Sequence, residues 1–348
     1  MKLKLFLLAF LSIISIRIYC QNDDVQVRLA VIGFYNLENL FDTINDPLKN
    51  DEEFLPDGAN KWTSQVYLEK VKNMGFVIDK IGNKYNNLRP VILGVSEIEN
   101  RLVLEDLVES EYLKKHGYGI VHYDSPDRRG VDVGLLYQEN RFTVISSASY
   151  RLTVEGYPNF ITRDPLLVTG ILDGDTLNII VNHWPSRRGG EKSSAPLRNA
   201  AADLNRYMVD SILTVNPDAK IIVMGDLNDD PDNDSVLMHL RAKGKKSKLT
   251  PGDLYNTMWD LYKSGVGSLA YRGQWNLFDQ IVVSQGLLNN DMKTWELYAA
   301  HIFNENFLIN QEGRWAGYPF RTFSGGAYIG GYSDHFPTYI VLIKKVQK

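Results

Sequence analysis

The chain has 348 residues, of which 44% are hydrophobic and 23% charged, so it can bury a substantial core and reads as neither disordered nor fibrous. Its 42 acidic residues against 38 basic ones give a formal net charge of −4. No global positive field draws in a polyanion, and chemistry on a phosphate would need a local neutraliser such as a divalent cation.

Lys2 and Lys4 precede LFLLAFLSIISI, an apolar run of signal-peptide length and too short to cross a bilayer comfortably. The expectation is export to the periplasm or beyond, with residues 1–20 removed, residues 21–348 forming one domain, and no membrane helix remaining. Cys20, the sole cysteine, raises a lipoprotein anchor, but Tyr19 stands where a small residue would precede a lipidated cysteine. Cleavage after Cys20 is therefore the favoured reading. The mature chain would then lack cysteine, which removes disulfides and thiol catalysis, and losing Lys2, Lys4 and Arg17 takes its charge to about −7.

Short β-branched runs follow at residues 28–36, 90–96, 131–137, 177–182, 220–226, 278–284 and 338–343, each read as a buried strand. Helical patterns lie at 64–85, with Leu68, Val71, Met74, Ile78 and Ile81 on one face, and at 195–213, with Pro196 near the start. LDGDTL at 172–177 centres a hairpin on Asp-Gly, so strands there run antiparallel and the sheet is mixed, which disfavours a pure Rossmann arrangement. RAKGKKSK at 241–248 holds five basic residues in eight, read as a solvated loop with a nucleic-acid contact as the alternative.

Polar residues capable of chemistry sit where these runs end. The first run closes on Asn36, with Glu38 beyond it. The second closes on Glu97, with Glu99 two residues further on. The run at 177–182 leads into His183, 220–226 delivers Asp226 and then Asn228, and the run at 278 contains Asp279. Ser333, Asp334 and His335 precede the last run. Any one of these alone is an ordinary turn former or structural histidine. Together they bring oxygen donors and two histidines to successive strand ends, a set that suits Mg2+, Mn2+ or Ca2+ better than structural zinc.

NLEN at 36–39, SEIEN at 96–100, NHWPS at 182–186, GDLND at 225–229, FDQIVVS at 278–284 and SDHFP at 333–337 occur in this order. The chain thereby resembles the endonuclease/exonuclease/phosphatase superfamily, which includes deoxyribonuclease I, and within it NLENLFD and RRGVDVGLLY look most like a secreted bacterial nuclease-like branch. The resemblance implies an α/β (α+β) four-layer sandwich, two mixed β-sheets flanked by helices, with a divalent-metal site at one edge. It makes Glu97 the principal metal carboxylate, with Asn36 beside it and Asp334 and Glu38 as further ligands. It makes His335 the histidine on the scissile phosphate, Asp279 the carboxylate that holds a histidine, and Asp226 with Asn228 the pair that positions the attacking water. Asp226 is the candidate general base, since a carboxylate accepts a proton and a carboxamide does not. His183 becomes a second active-site histidine without an identified acidic partner. Asp132 is either a site residue or a buried structural acid.

Adjacent Ser333, Asp334 and His335 cannot form a serine-hydrolase triad, because neighbouring side chains diverge. Arg129, Arg187 and Arg188 are candidate substrate contacts, the last two on a mobile loop facing substrate. The favoured activity is an exported metal-dependent phosphodiesterase cutting DNA or RNA, acting as a monomer. The alternatives are a hydrolase of inositol phosphates or sphingomyelin, with a small phosphorylated molecule or lipid as partner, and a catalytically silent binding module.

Overall fold

A computed structural model describes residues 26–346; the N-terminal apolar run and Cys20 lie outside the described residues. In chain order the first half holds β1 (Val27–Leu40), α1 (Ser64–Lys80), β2 (Pro90–Ile98), α2 (Arg101–Val108), β3 (Tyr118–His122), β4 (Asp132–Gln138), β5 (Phe142–Ser149), β6 (Leu166–Leu172) and β7 (Asp175–His183). The second half holds α3 (Glu191–Val215), β8 (Ile221–Asp226), β9 (Ala242–Lys243), β10 (Leu254–Asn256), α4 (Trp259–Lys263) and the hairpin β11 (Leu269–Tyr271) and β12 (Gln274–Asn276). It closes with β13 (Asp279–Val283), β14 (Glu296–Ile302), β15 (Phe323–Ser324), β16 (Ala327–Tyr328) and β17 (Thr338–Lys345).

Two sheets carry the fold, in the orders β14-β17-β1-β2-β4-β3 and β5-β6-β7-β8-β13-β10-β9. Both are mixed, since β1 runs parallel to β2 and β7 parallel to β8 while most other neighbours are antiparallel. The Asp173-Gly174 turn between β6 and β7 takes positive φ at both residues, as a two-residue hairpin requires.

Strand parity explains the layers. On β1, Ala30, Ile32 and Phe34 face a core shared with Ile179 and Val181 of β7, Met224 of β8 and Ile281 of β13. Val31 and Tyr35 face the other way, onto Val71, Met74, Val77 and Ile78 of α1. On the far side of the second sheet, Ile180, Ile221 and Val223 pack on Ala201, Ala202, Met208 and Val209 of α3. The result is helix, sheet, sheet, helix: the four-layer sandwich. The sheets close tightly at Gly94, where an added Cβ would lie 2.7 Å from the Met224 sulfur and 3.1 Å from Val181.

Two element ends differ from expectation. Helix α1 stops at Lys80, because Gly82 turns the chain with φ +84°, and Leu68 is exposed while Tyr67 and Lys70 are buried. Helix α3 begins four residues before Ala195, which puts Pro196 inside the helix. Among the described residues no helix is long and apolar enough to cross a membrane.

Candidate active site at the sheet edge

The parity that buries Val181, Met224 and Ile281 between the sheets also sends His183, Asp226 and Asp279 inward at the ends of the same strands. Register puts them in one row, with His183 beside Asp226 on β7 and β8, and Asp279 opposite Asp226 on β13. All three are buried. From the other sheet, Asn36 at the end of the buried β1 run donates its amide Nδ2 to Asp226 Oδ2 at 3.2 Å, so the two sheets are hydrogen-bonded across the site.

Glu97 arrives by a different device. Register between β2 and β4 slips between Ser96 and Ile98, and Glu97 takes φ +57°. This bulge re-aims one side chain out of the strand's alternation, at the cost of a left-handed backbone on a non-glycine residue. Its carboxylate lies 3.8 Å from His183 Nε2, which is 3.6 Å from Asp226 Oδ2. Glu99 points elsewhere, accepting from the Asp42 amide at 2.7 Å.

His335 sits on the loop leading into β17. Ser333 fixes that loop, donating its hydroxyl to the Asn36 carbonyl at 2.7 Å and accepting from the His335 amide at 3.1 Å. His335 Nδ1 donates to Asp279 Oδ2 at 2.6 Å, leaving Nε2 for the site. Burial alone would push His335 down, but Asp279, then Asp226 and Asp334, hold it well above an ordinary histidine, as an imidazolium. His183 goes the opposite way. Burial, reinforced by Arg163, Arg129 and His335, pushes it well below the usual value, and its contacts to Glu97 and Asp226 are too long to be hydrogen bonds that would offset this. One histidine is cationic and the other neutral. Asp226 is raised to about 7, first by burial and then by Asp279, against the pull of His335.

Ligand atoms of Glu97, His183 and Asp226 lie within 4.8 Å of one another, as do those of Asp226, Asp279 and His335. Within the first group Glu97 and His183 fit a divalent cation, because a carboxylate supplies charge and a buried neutral imidazole is the ligating form, with Asp226 beside them.

The remaining candidates divide. Asn36 meets this group through its nitrogen, which positions Asp226, while its Oδ1 accepts from the Glu38 amide at 2.9 Å and keeps a second lone pair. Glu38 is not brought into the metal group. Its left-handed backbone, φ +49°, turns its oxygens to Arg321 Nε at 3.0 Å and the Thr322 amide at 2.7 Å. Burial and then Asp334 raise it to about 7, and burial lowers its neighbour Lys70 to about 8. Asp334 lies on the rim rather than in the group, with one oxygen on Arg321 at 3.1 Å and the other 3.9 Å from His335 Nε2.

Asn228 takes φ +50°, gives its amide N–H to Asp226 Oδ1 at 3.0 Å and its Nδ2 to the Trp184 carbonyl at 2.9 Å. Trp184 is buried against α3, and Asp132 is a buried acid bonded to His122 Nε2 at 3.0 Å and the Ser125 amide at 2.9 Å.

Arg187 is not a mobile substrate contact. It is a strut, bonded to Asn228 O at 2.9 Å, Asp229 Oδ1 at 3.1 Å and Asn233 Oδ1 at 2.9 Å, with its guanidinium 4.5 Å above the Phe278 ring. Arg188 is exposed beside it, and Arg129 is half-exposed with its Nε 3.4 Å from Asp127. In the basic stretch, Arg241 pairs with Asp253 at 2.8 Å and Lys243 donates to the Leu237 carbonyl, while Lys245, Lys246 and Lys248 are exposed.

Sequence reasoning missed Arg163. This buried side chain bonds Asp127 Oδ2 at 3.1 Å and the Trp184 carbonyl at 2.6 Å, clamping the strand end that carries His183. Its one sequence signal was a cation three residues ahead of the apolar run at 166–172.

A model of the Endonuclease/Exonuclease/phosphatase family matches residues 31–344. No curated protein sequence matches the chain. Among solved structures, an endonuclease/exonuclease/phosphatase family protein from Bacteroides thetaiotaomicron superposes with a TM-score of 0.54 at 16% identity, covering 92% of this chain and 100% of that one. A mannosyl-6-phosphatase of the same organism gives 0.54 at 16% identity, over 90% and 99%. D. rerio TDP2 complexed with a single-strand DNA product gives 0.51 at 14% identity, over 90% and 98%. At these identities the likeness is one of fold.

Proposed function

The chain belongs to the Endonuclease/Exonuclease/phosphatase family and is a phosphoester-hydrolysing enzyme, and on that premise we propose that it is an exported, Mg2+-dependent phosphodiesterase that cuts nucleic acid. The observation that carries the reading is the row of His183, Asp226 and Asp279 on three neighbouring strands, with His335 bonded to its end. Export rests on the apolar run that follows Lys2 and Lys4.

A divalent cation held by Glu97 and His183 would supply Lewis-acid neutralisation of a phosphate oxygen. Asp226 takes the proton of the attacking water at Oδ2, its burial raising its affinity for that proton. Asn228 and Asn36 hold that carboxylate in place from opposite sides. The His335 imidazolium, oriented by Asp279, donates from Nε2 to a phosphate oxygen where negative charge grows in the transition state. Asp334 and Arg321 flank it on the rim and orient the approaching phosphoester.

The test is a substrate panel with purified protein, run with Mg2+ and with EDTA: linear and supercoiled DNA, RNA, sphingomyelin, inositol phosphates and mannose 6-phosphate. The expected result is cleavage of nucleic acid that EDTA abolishes and Mg2+ restores. Intact nucleic acid alongside phosphate or phosphocholine release from the small substrates would overturn the substrate assignment and leave the hydrolase standing.

A further inference from the structure

Beside the metal group the surface opens into a groove of 1020 Å³, with Glu38, Asp334 and Arg321 at the catalytic end. Its outer wall comes from two pieces of chain that no strand-end motif touches: the tip of the β11–β12 hairpin and the segment from Asn310 to Ile329. The hairpin is hung on the catalytic loops. Ser268 accepts the Phe336 amide on its carbonyl at 2.7 Å, and its hydroxyl accepts the Asp279 amide at 3.3 Å.

From Phe336, directly after His335, an aromatic series runs outward. Trp275 stacks on Phe336 with centroids 5.9 Å apart and an interplanar angle of 17°, Tyr318 meets Trp275 at 5.8 Å, and Trp315 meets Tyr318 at 5.5 Å. Its outer members stay open: Trp315 is 42% exposed, and Tyr271, on the hairpin tip, 62%. The groove's two outer cations lie over ring faces, Arg314 at 4.9 Å above Trp315 and Arg272 at 5.2 Å above Tyr271.

We propose that this groove is the binding track for unpaired nucleotides flanking the scissile phosphate, with Trp315 and Tyr271 as stacking platforms for bases and Arg314 and Arg272 as contacts for the phosphate backbone. The inference deepens the nucleic-acid reading above and rests on it. Large aromatic faces left in water beside a catalytic centre are platforms awaiting a flat partner, and stacking is sequence-tolerant because every base has a π-face. Bases in a duplex are already stacked on each other and cannot offer theirs, so the groove selects single strands. Its volume is at the upper end of the roughly 300–1,000 Å³ range of small-molecule sites, more than a phosphorylated monosaccharide fills. Arginine suits the backbone, since its fork donates two parallel hydrogen bonds to one phosphate.

The experiment compares full-length wild type with Trp315→Ala, Tyr271→Ala and the double variant in Mg2+. The substrates are a single-stranded oligothymidylate, a duplex, and bis(p-nitrophenyl) phosphate, which is too short to span the groove. Quenching of tryptophan fluorescence by the oligothymidylate in a Glu97→Gln background reads binding apart from turnover. The expected result is a KM for the single strand raised about 5- to 150-fold per variant, the equivalent of about 1–3 kcal/mol per stacked base. The single-strand to small-diester ratio of kcat/KM falls in step, Trp315→Phe restores most of it, and Tyr207→Ala, on the exposed face of α3, leaves it unchanged. Wild-type cleavage of the single strand with KM unmoved in the double variant overturns the groove and leaves the nuclease reading intact. A wild type that prefers duplex, or whose fluorescence responds to mannose 6-phosphate and not to the oligothymidylate, also overturns it. Hydrolysis of the small diester with every nucleic acid left intact is instead the failure of the nuclease reading itself.

Discussion

Replacing Asp279 by Asn tests the electrostatic logic of the site most directly. Asp279 is fully buried, and its Oδ2 accepts from His335 Nδ1 at 2.6 Å. Burial works against a charged imidazole, and the adjacent carboxylate is the strongest influence that keeps His335 protonated. Asn keeps the shape and can still accept from Nδ1–H, but it removes the negative charge. The bond drops from charge-assisted, worth about 1.5–3 kcal/mol, to an ordinary one of about 1 kcal/mol. Burial then dominates, and His335 falls toward or below 6.5. The sign follows from the raised wild-type value: the active imidazolium is present at low pH and lost as pH rises through that value, so the alkaline limb of kcat lies above pH 6.5 in the wild type and moves to lower pH in the variant. At neutral pH the loss of one cationic donor to the transition state lowers kcat about 10²- to 10³-fold. The assay is kcat against pH on bis(p-nitrophenyl) phosphate at saturating Mg2+, with circular dichroism melts to verify the fold. A variant with kcat within about twofold of wild type and an unmoved alkaline limb would refute the assignment.

Glu97→Gln removes the carboxylate that the bulge delivers to His183, so saturating Mg2+ should stabilise the wild type by about 2.7 kcal/mol at a hundredfold excess over Kd and the variant hardly at all, read by thermal melts with and without EDTA. Gly94→Ala puts a Cβ 2.7 Å from the Met224 sulfur between the sheets, which should cost about 1–3 kcal/mol in chemical denaturation. Asp79→Asn probes stability away from the site: burial would raise Asp79, but Arg89, His116 and Lys80 lower it to about 2. A depressed carboxyl contributes above its unfolded value and loses that contribution as pH falls through the folded one. The variant should therefore be less stable by about 1–2 kcal/mol near neutrality, with partly exposed partners screening the pair, and the gap should close between pH 3.8 and about 2 in urea titrations.

The central row of the site was legible in sequence for a physical reason. A strand buried on both faces is a continuous apolar run, so the polar residues that close it mark the sheet edge, and period-two alternation then fixes which way each of them points. His183, Asp226 and Asp279 obey this rule with Val181, Met224 and Ile281 ahead of or behind them, and Asn36 obeys it on the opposite sheet. The same rule puts Glu97 and Glu99 on one face, since they are two residues apart, and does not say which of them enters the site. That choice is made by a bulge and a left-handed φ on a non-glycine residue, and neither leaves a mark in the residue pattern.

What stayed hidden was set by long side chains reaching between distant loops. Arg321 meets Glu38 across 283 positions of sequence, and Lys70 reaches Thr322 across 252. Such pairings have no period, so Glu38 in NLEN and Arg187 in HWPSRR look like site residues until a partner elsewhere in the chain claims their charges. A charge beside a motif therefore predicts chemistry only while it is unpaired. By that criterion Arg272 and Arg314, over exposed rings, stay available to meet substrate, as does exposed Arg188, whereas Arg187 does not.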